Sequence, residues 1–183
     1  KERGFSTLGV ELGLAEAELC EKRGHTVFTR PIDEINFKEK IDVITLWDVF
    51  EHIPSPSNYL QSLSKILNEK GIVFMQIPNS GSLAAKIMRD ETKMFDGVEH
   101  VNLYNPAAIK QTVEMNGFEI ISLKSVISER SVINNYLSFN DPYSGDSEYG
   151  AKVLDIMSEE LIHENLLGYK MQIILRKSSR NEN

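Results

Sequence analysis

Among 183 residues the chain has a single cysteine, Cys20, and a single tryptophan, Trp47. A lone cysteine can build neither an intrachain disulfide nor a cysteine metal centre, so the sequence carries no mark of an oxidising compartment. Cys20 falls in a helical pattern and reads as a small buried residue. No apolar run approaches the roughly 20 residues that a membrane-spanning helix needs, and no signal peptide is legible. The expectation is a soluble, cytoplasmic protein with no membrane partner. A basic cluster is also lacking. With a formal net charge of −7 and no face rich in Lys and Arg, the chain offers little to a phosphate backbone, which argues against nucleic acid and for a small-molecule partner. No internal repeat or low-complexity segment occurs. What is present is 41% apolar residues, enough for the core of one domain of ordinary size.

The stretch Ile41 to His52, I-D-V-I-T-L-W-D-V-F-E-H, organises the rest. Its first half has the apolar, β-branched composition of a strand buried on both faces of an α/β sheet. Its second half gathers Asp48, Glu51 and His52. Ligands of open α/β sheets bind outside the carboxyl ends of strands, so this cluster marks a working end.

Before it, Lys1 to Phe5 reads as a last helical turn closed by Gly4, Ser6 to Leu12 as a strand, Gly13 to Gly24 as a helix and His25 to Phe28 as a strand, followed by a polar connection to Lys40. After it, Ser55-Pro56 signals a helix start. Leu60, Leu63, Ile66 and Leu67 line one face of a helix that runs to Lys70 and is closed by Gly71. Ile72 to Ile77 is a buried strand stopped by Pro78, and Asn79 to Arg89 is a loop passing into a short helix. Asn105-Pro106 starts a helix that Gly117 closes. Phe118 to Ile127 and Tyr169 to Arg176 read as strands. Between them, Ser128 to Gly168 is first polar and turn-rich. From about Glu148 it becomes helical, with Val153, Ile156, Met157 and Leu161 in step. A disordered tail is expected from Lys177. Strand and helix alternate, which calls for a mainly parallel sheet with helices on both faces.

Four segments carry a resemblance. They are G-V-E-L at Gly9 to Leu12, F-K-E-K-I-D-V-I-T-L-W-D-V-F-E-H-I-P-S-P at Phe37 to Pro56, I-L-N-E-K-G-I-V-F-M-Q-I-P-N at Ile66 to Asn79, and H-V-N-L-Y-N-P at His100 to Pro106 followed by N-G-F-E-I-I. In this order and spacing the chain resembles the class I S-adenosylmethionine-dependent methyltransferases, in the branch that includes the ubiquinone-biosynthesis O-methyltransferases. The resemblance implies a Rossmann-like doubly wound α/β sheet whose last strand, Tyr169 to Arg176, runs antiparallel beside Phe118 to Ile127. It implies one domain over residues 1–176. The family's first strand and glycine-rich turn have no counterpart, since no G-x-G occurs in the chain. The expectation is that they precede Lys1.

The resemblance also implies the cofactor S-adenosylmethionine and a set of residues around it. Glu11, at a strand end, would accept hydrogen bonds from the ribose hydroxyls, as acids do in nucleotide-binding α/β folds; its alternative role is to cap the next helix. Leu12 would lie against the adenine, with Ile32 and Asp33 toward the ring's other side and its amino group. Leu46, Trp47 and Asp48 would border the sulfonium and adenosine. His52 and His100 are the candidates for a base acting on a hydroxyl acceptor. Asp48, Glu51 and His52 also form a D-x-x-E-H pattern of potential metal ligands. They are read here as solvated acids at a helix start, with no metal assigned. Two other classes stay open, a non-catalytic binding module on the same fold and a nicotinamide-dependent dehydrogenase.

Overall fold

The structure, a computed structural model, describes residues 3–95, 97–145, 154 and 157–179. The chain divides into two units, Lys1–Lys40 and Ile41–Asn183. In the first, β1 (Leu8–Val10) and β2 (Thr26–Phe28) pair in parallel with Leu8 opposite Thr26. Parallel strands need a crossover, and α1 (Leu14–Lys22) supplies it, with Ala17 buried beneath it. Gly24, at φ 80°, turns the chain from α1 into β2. The elements are those expected, each trimmed at its ends.

The second unit contains β3 (Ile41–Trp47), α2 (Pro56–Ile66), β4 (Leu67–Pro78), α3 (Leu83–Met88), α4 (Pro106–Met115), β5 (Phe118–Val126), α5 (Arg130–Leu137), α6 (Glu159–Glu164) and β6 (Lys170–Lys177). Its sheet has the order β3-β4-β6-β5. β3 and β4 are parallel, and β6 is antiparallel to both β4 and β5. β5 therefore runs with β3 and β4, and the expected reversed strand lies between β4 and β5. Asn105 caps α4 through Ala108 N–H at 2.9 Å, and Gly117 closes it at φ 78°. Ser55 precedes α2 as expected but makes no side-chain cap bond.

Alternation along the strands sets the core. Ile44 and Leu46 of β3, Val73, Met75 and Ile77 of β4, and Met171, Ile173 and Leu175 of β6 are buried, as are Leu60 and Leu63 of α2 and Ile109 and Val113 of α4. Each such side chain is worth about 1.5–3 kcal/mol. β3 departs from the expected burial on both faces, with Val43 at 51% and Trp47 at 56% exposed. The exposed residues alternate with buried Ile44 and Leu46, so β3 buries only one of its two faces.

Two segments correct the sequence reading. The helix expected to reach Lys70 stops at Ile66, because Leu67 turns to extended backbone, pairs with Ile41 and is fully buried. The register then jumps from Ile41↔Leu67 to Val43↔Ile72. Gly71 sits inside this bulge, where a Cβ would come within 3.0 Å of the Asp42 carbonyl and 2.8 Å of Leu67. The stretch after Ser128, expected to be turn-rich, instead forms α5, whose Ile133 is fully buried. Asn135, also buried, donates to the carbonyls of Pro142 and Gly145. Of the helical stretch expected from Glu148, residues 148–153, 155 and 156 lie outside the described residues; α6 follows, burying Ile162. Of the expected tail, Lys177 belongs to β6, Ser178 N–H bonds the Gly117 carbonyl, and residues 180–183 lie outside the described residues. No helix among the described residues is long and apolar enough to cross a membrane.

Candidate active site

β3 ends at Trp47, β4 ends at Pro78, and antiparallel β6 begins at Lys170 opposite Pro78. These three termini share one end of the sheet, and the titratable cluster stands there. Asp48 extends the ladder by one bond, its N–H reaching the Gln76 carbonyl at 2.9 Å, and then adopts left-handed backbone at φ 52°. Asp tolerates that conformation better than most residues. Its Oδ2 accepts from Lys170 Nζ at 2.5 Å and from Gln76 Nε2 at 3.4 Å, while Oδ1 is buried with no partner. Leu46 is turned into the core, 5% exposed, whereas Trp47 lies on the opposite face against Phe74 at 4.7 Å.

A 3₁₀ turn, Phe50–His52, follows. Phe50 is fully buried and stacks on Tyr104 at 5.4 Å. The Glu51 carbonyl accepts from Asn102 N–H, and Asn102 Nδ2 donates to the Ile53 carbonyl. These bonds fasten the His100 loop over the turn. His52 Nδ1 lies 2.7 Å from the Glu99 carbonyl, and His100 Nδ1 lies 2.9 Å from the Met94 carbonyl. A carbonyl only accepts, so each Nδ1 carries the proton, and Nε2 of His52 is left as the lone-pair nitrogen. The two imidazoles are 5.0 Å apart.

Potential ligand atoms of Glu51, His52 and His100 lie within 4.8 Å of one another. These three, rather than Asp48 with Glu51 and His52, could share a cation, because Asp48 is engaged by Lys170. Nor is Glu51 the solvated acid expected. It is 1% exposed, and neither carboxylate oxygen has a hydrogen-bond partner. Burial pushes its pKa up, with its own backbone N–H pulling the other way; Asp48 adds to the rise, and the two histidines oppose it. The Tyr104 hydroxyl, buried without a partner, is pushed up to about 12, first by burial and then by Glu51.

A carboxyl raised on folding holds its proton more tightly in the native state. Its contribution to stability is complete below the ordinary carboxyl pKa and is lost as pH rises through the raised value. The Glu51→Gln variant should therefore escape a loss of stability that the wild type suffers as pH rises above the ordinary carboxyl range. Denaturant melts at several pH values check this; parallel profiles for the two proteins would refute it.

In the first unit, Glu11 and Leu12 follow β1, and Ile32 and Asp33 lie in a 3₁₀ turn, Ile32–Glu34, after β2. Because β1 and β2 are parallel, both segments leave from the same end. Glu11 N–H bonds the Phe28 carbonyl at 3.0 Å, and its Oε1 accepts from Gly13 N–H at 2.8 Å, a local bond just ahead of α1, which itself has no side-chain cap. Leu12 is 62% exposed and Asp33 is exposed.

Sequence reasoning missed several polar residues. Asn79 is fully buried, donating to the Leu166 and Gly168 carbonyls and accepting from Gly81 N–H. It pins the end of β4 to the approach to β6. Lys170 was read only as part of a strand. Half-buried Glu129 has its pKa raised by burial, with Lys93 and Lys170 opposing the rise. Only the Pro78-Asn79 strand stop hinted at any of these.

Solved structures of S-adenosylmethionine-dependent methyltransferases share this fold. A S-adenosylmethionine-dependent methyltransferase of Thermotoga maritima matches with a TM-score of 0.62 at 17% identity, over 94% of this chain and 73% of that one. The O-methyltransferase of a Brevibacillus brevis trans-AT polyketide synthase multienzyme, bound to S-adenosylhomocysteine, gives 0.60 at 19% identity, over 98% and 61%. A ubiquinone biosynthesis O-methyltransferase of Glaesserella parasuis serovar 5 (strain SH0165) is 42% identical over 41 residues, which span 22% of this chain and only 17% of that relative. The methyltransferase domain family matches residues 1–123, and the chain belongs to that family.

Proposed function

We propose that the protein transfers a methyl group from S-adenosylmethionine to a hydroxyl of a small molecule. The observation that carries this reading is His52, held by the Glu99 carbonyl with Nε2 as its lone-pair nitrogen at the carboxyl end of β3 in a methyltransferase-family chain. The segment shared with the ubiquinone biosynthesis O-methyltransferase supports a hydroxyl as the acceptor.

The residues fit the donor in chemical kind. Glu11 offers carboxylate oxygens for ribose hydroxyls, Leu12 an exposed apolar side chain for adenine, Ile32 and Asp33 a flank for its amino group, and Trp47 and Asp48 an aromatic wall and an acceptor at the strand end. Once the donor is bound, its sulfonium supplies an activated methyl. The protein then has to align the acceptor and exclude water. His52 takes the hydroxyl proton at Nε2 as the oxygen becomes nucleophilic, and His100 packs beside it.

Calorimetric titration of the full-length protein with S-adenosylmethionine and S-adenosylhomocysteine tests the reading, followed by transfer of labelled methyl to a panel of hydroxylated and amine acceptors. Failure to bind either ligand would sink it. Label on amines alone would move the acceptor from oxygen to nitrogen.

The buried carboxylate of Glu51 favours one second reading, in which Glu51, His52 and His100 hold a divalent cation. Activity abolished by a chelator and restored by Mg²⁺ or Zn²⁺ would select it.

A further inference from the structure

A polar chain crosses the sheet where β3, β4 and β6 meet. Gln172 Nε2 donates to Gln76 Oε1 at 3.0 Å, Gln76 Nε2 donates to Asp48 Oδ2, and Lys170 Nζ donates to the same oxygen. Every bond in the chain points toward Asp48. Strand pairing fixes the order, since Gln76 lies opposite Gln172, and Pro78 opposite Lys170. The side chains of Lys170 and Asp48 are 22% and 38% exposed, so water only partly screens the pair. Its donors all fall on Oδ2, which leaves Oδ1 buried and without a partner.

We infer that Lys170 is a positioning residue that acts through Asp48, holding the strand end close to neutral and so setting the preference between a charged methyl donor and its neutral product. This rests on the reading that the end of β3 borders the sulfonium. In the transfer, the sulfur–methyl bond breaks with its electron pair staying on sulfur. A carbon–oxygen bond forms from an oxygen lone pair, and the hydroxyl proton passes to His52 Nε2. The donor loses its positive charge as this happens. An unbalanced Asp48 would therefore stabilise the starting state more than the transition state, tightening donor binding while slowing the reaction. Lys170 cancels that charge.

The full-length enzyme should be titrated separately with S-adenosylmethionine and S-adenosylhomocysteine. In Lys170→Met the affinity ratio should shift by about tenfold toward S-adenosylmethionine, with kcat lowered, and Lys170→Arg should restore both. Glu129 is the other acid that feels Lys170, and an Asp48→Asn background separates the two. If Lys170 acts through Asp48, Asp48→Asn/Lys170→Met should show the same ratio as Asp48→Asn alone. A shift that persists there would mean that Lys170 acts directly on the donor or through Glu129 and overturn the inference, as would an unchanged ratio in Lys170→Met. A wild type that binds neither ligand would overturn the functional reading itself, and this inference with it.

Discussion

His52→Ala and His52→Gln should lose roughly 10²- to 10⁴-fold in kcat while binding S-adenosylmethionine nearly as tightly as the wild type, the range for a lost general base. The deficit should shrink as pH rises and the acceptor deprotonates unaided. His100→Ala should behave differently. Its Nδ1 ties the loop to the Met94 carbonyl, so its loss should raise KM without that pH dependence. Rate measurements across pH on the two single variants and the double variant decide the matter. Full activity in all three would mean that neither ring moves a proton.

The second large effect is expected at Glu11. On the proposed reading, Glu11 accepts two charge-assisted hydrogen bonds from the ribose, each worth about 1.5–3 kcal/mol, so Glu11→Ala should weaken cofactor binding at least tenfold in the full-length protein. The same carboxylate accepts from Gly13 N–H, so part of the loss could come through the start of α1. Glu11→Gln separates the two contributions, because its amide oxygen can still accept from Gly13 while the charge is gone. Affinity unchanged in both variants would remove Glu11 from the cofactor site.

The sequence disclosed most where one force acted alone. β3 and the core of β4 announced themselves by apolar, β-branched composition, and α4 by an Asn-Pro start and a glycine stop, all local signals. The reversed last strand came only from the resemblance, since no periodicity encodes strand direction. Where two forces compete, the sequence misled. Leu67 continues the apolar face of α2, yet pairing with Ile41 and complete burial take it into β4. Val132, Ile133 and Tyr136 had helical spacing within a polar stretch, and their burial against α3 decided in favour of a helix. At the site, Asp48, Glu51 and His52 were visible because they are adjacent in sequence. That His100 joins Glu51 and His52 while Asp48 turns to Lys170 depends on a loop and a strand far along the chain.

The placement of β6 has a consequence for how the protein is made. It is the last strand in sequence, yet it sits between β4 and β5 and supplies the hydrogen bonds that join them. A ribosome adds about 5–20 residues per second, so β4 and β5 wait for seconds with the hydrogen-bonding edges that β6 will fill unpaired while the connection from Val126 to Lys170 is synthesised. A ribosome stalled short of Lys170 would hold a protein whose second sheet is still in two pieces, and a chaperone guarding this nascent chain would have those two edges to cover.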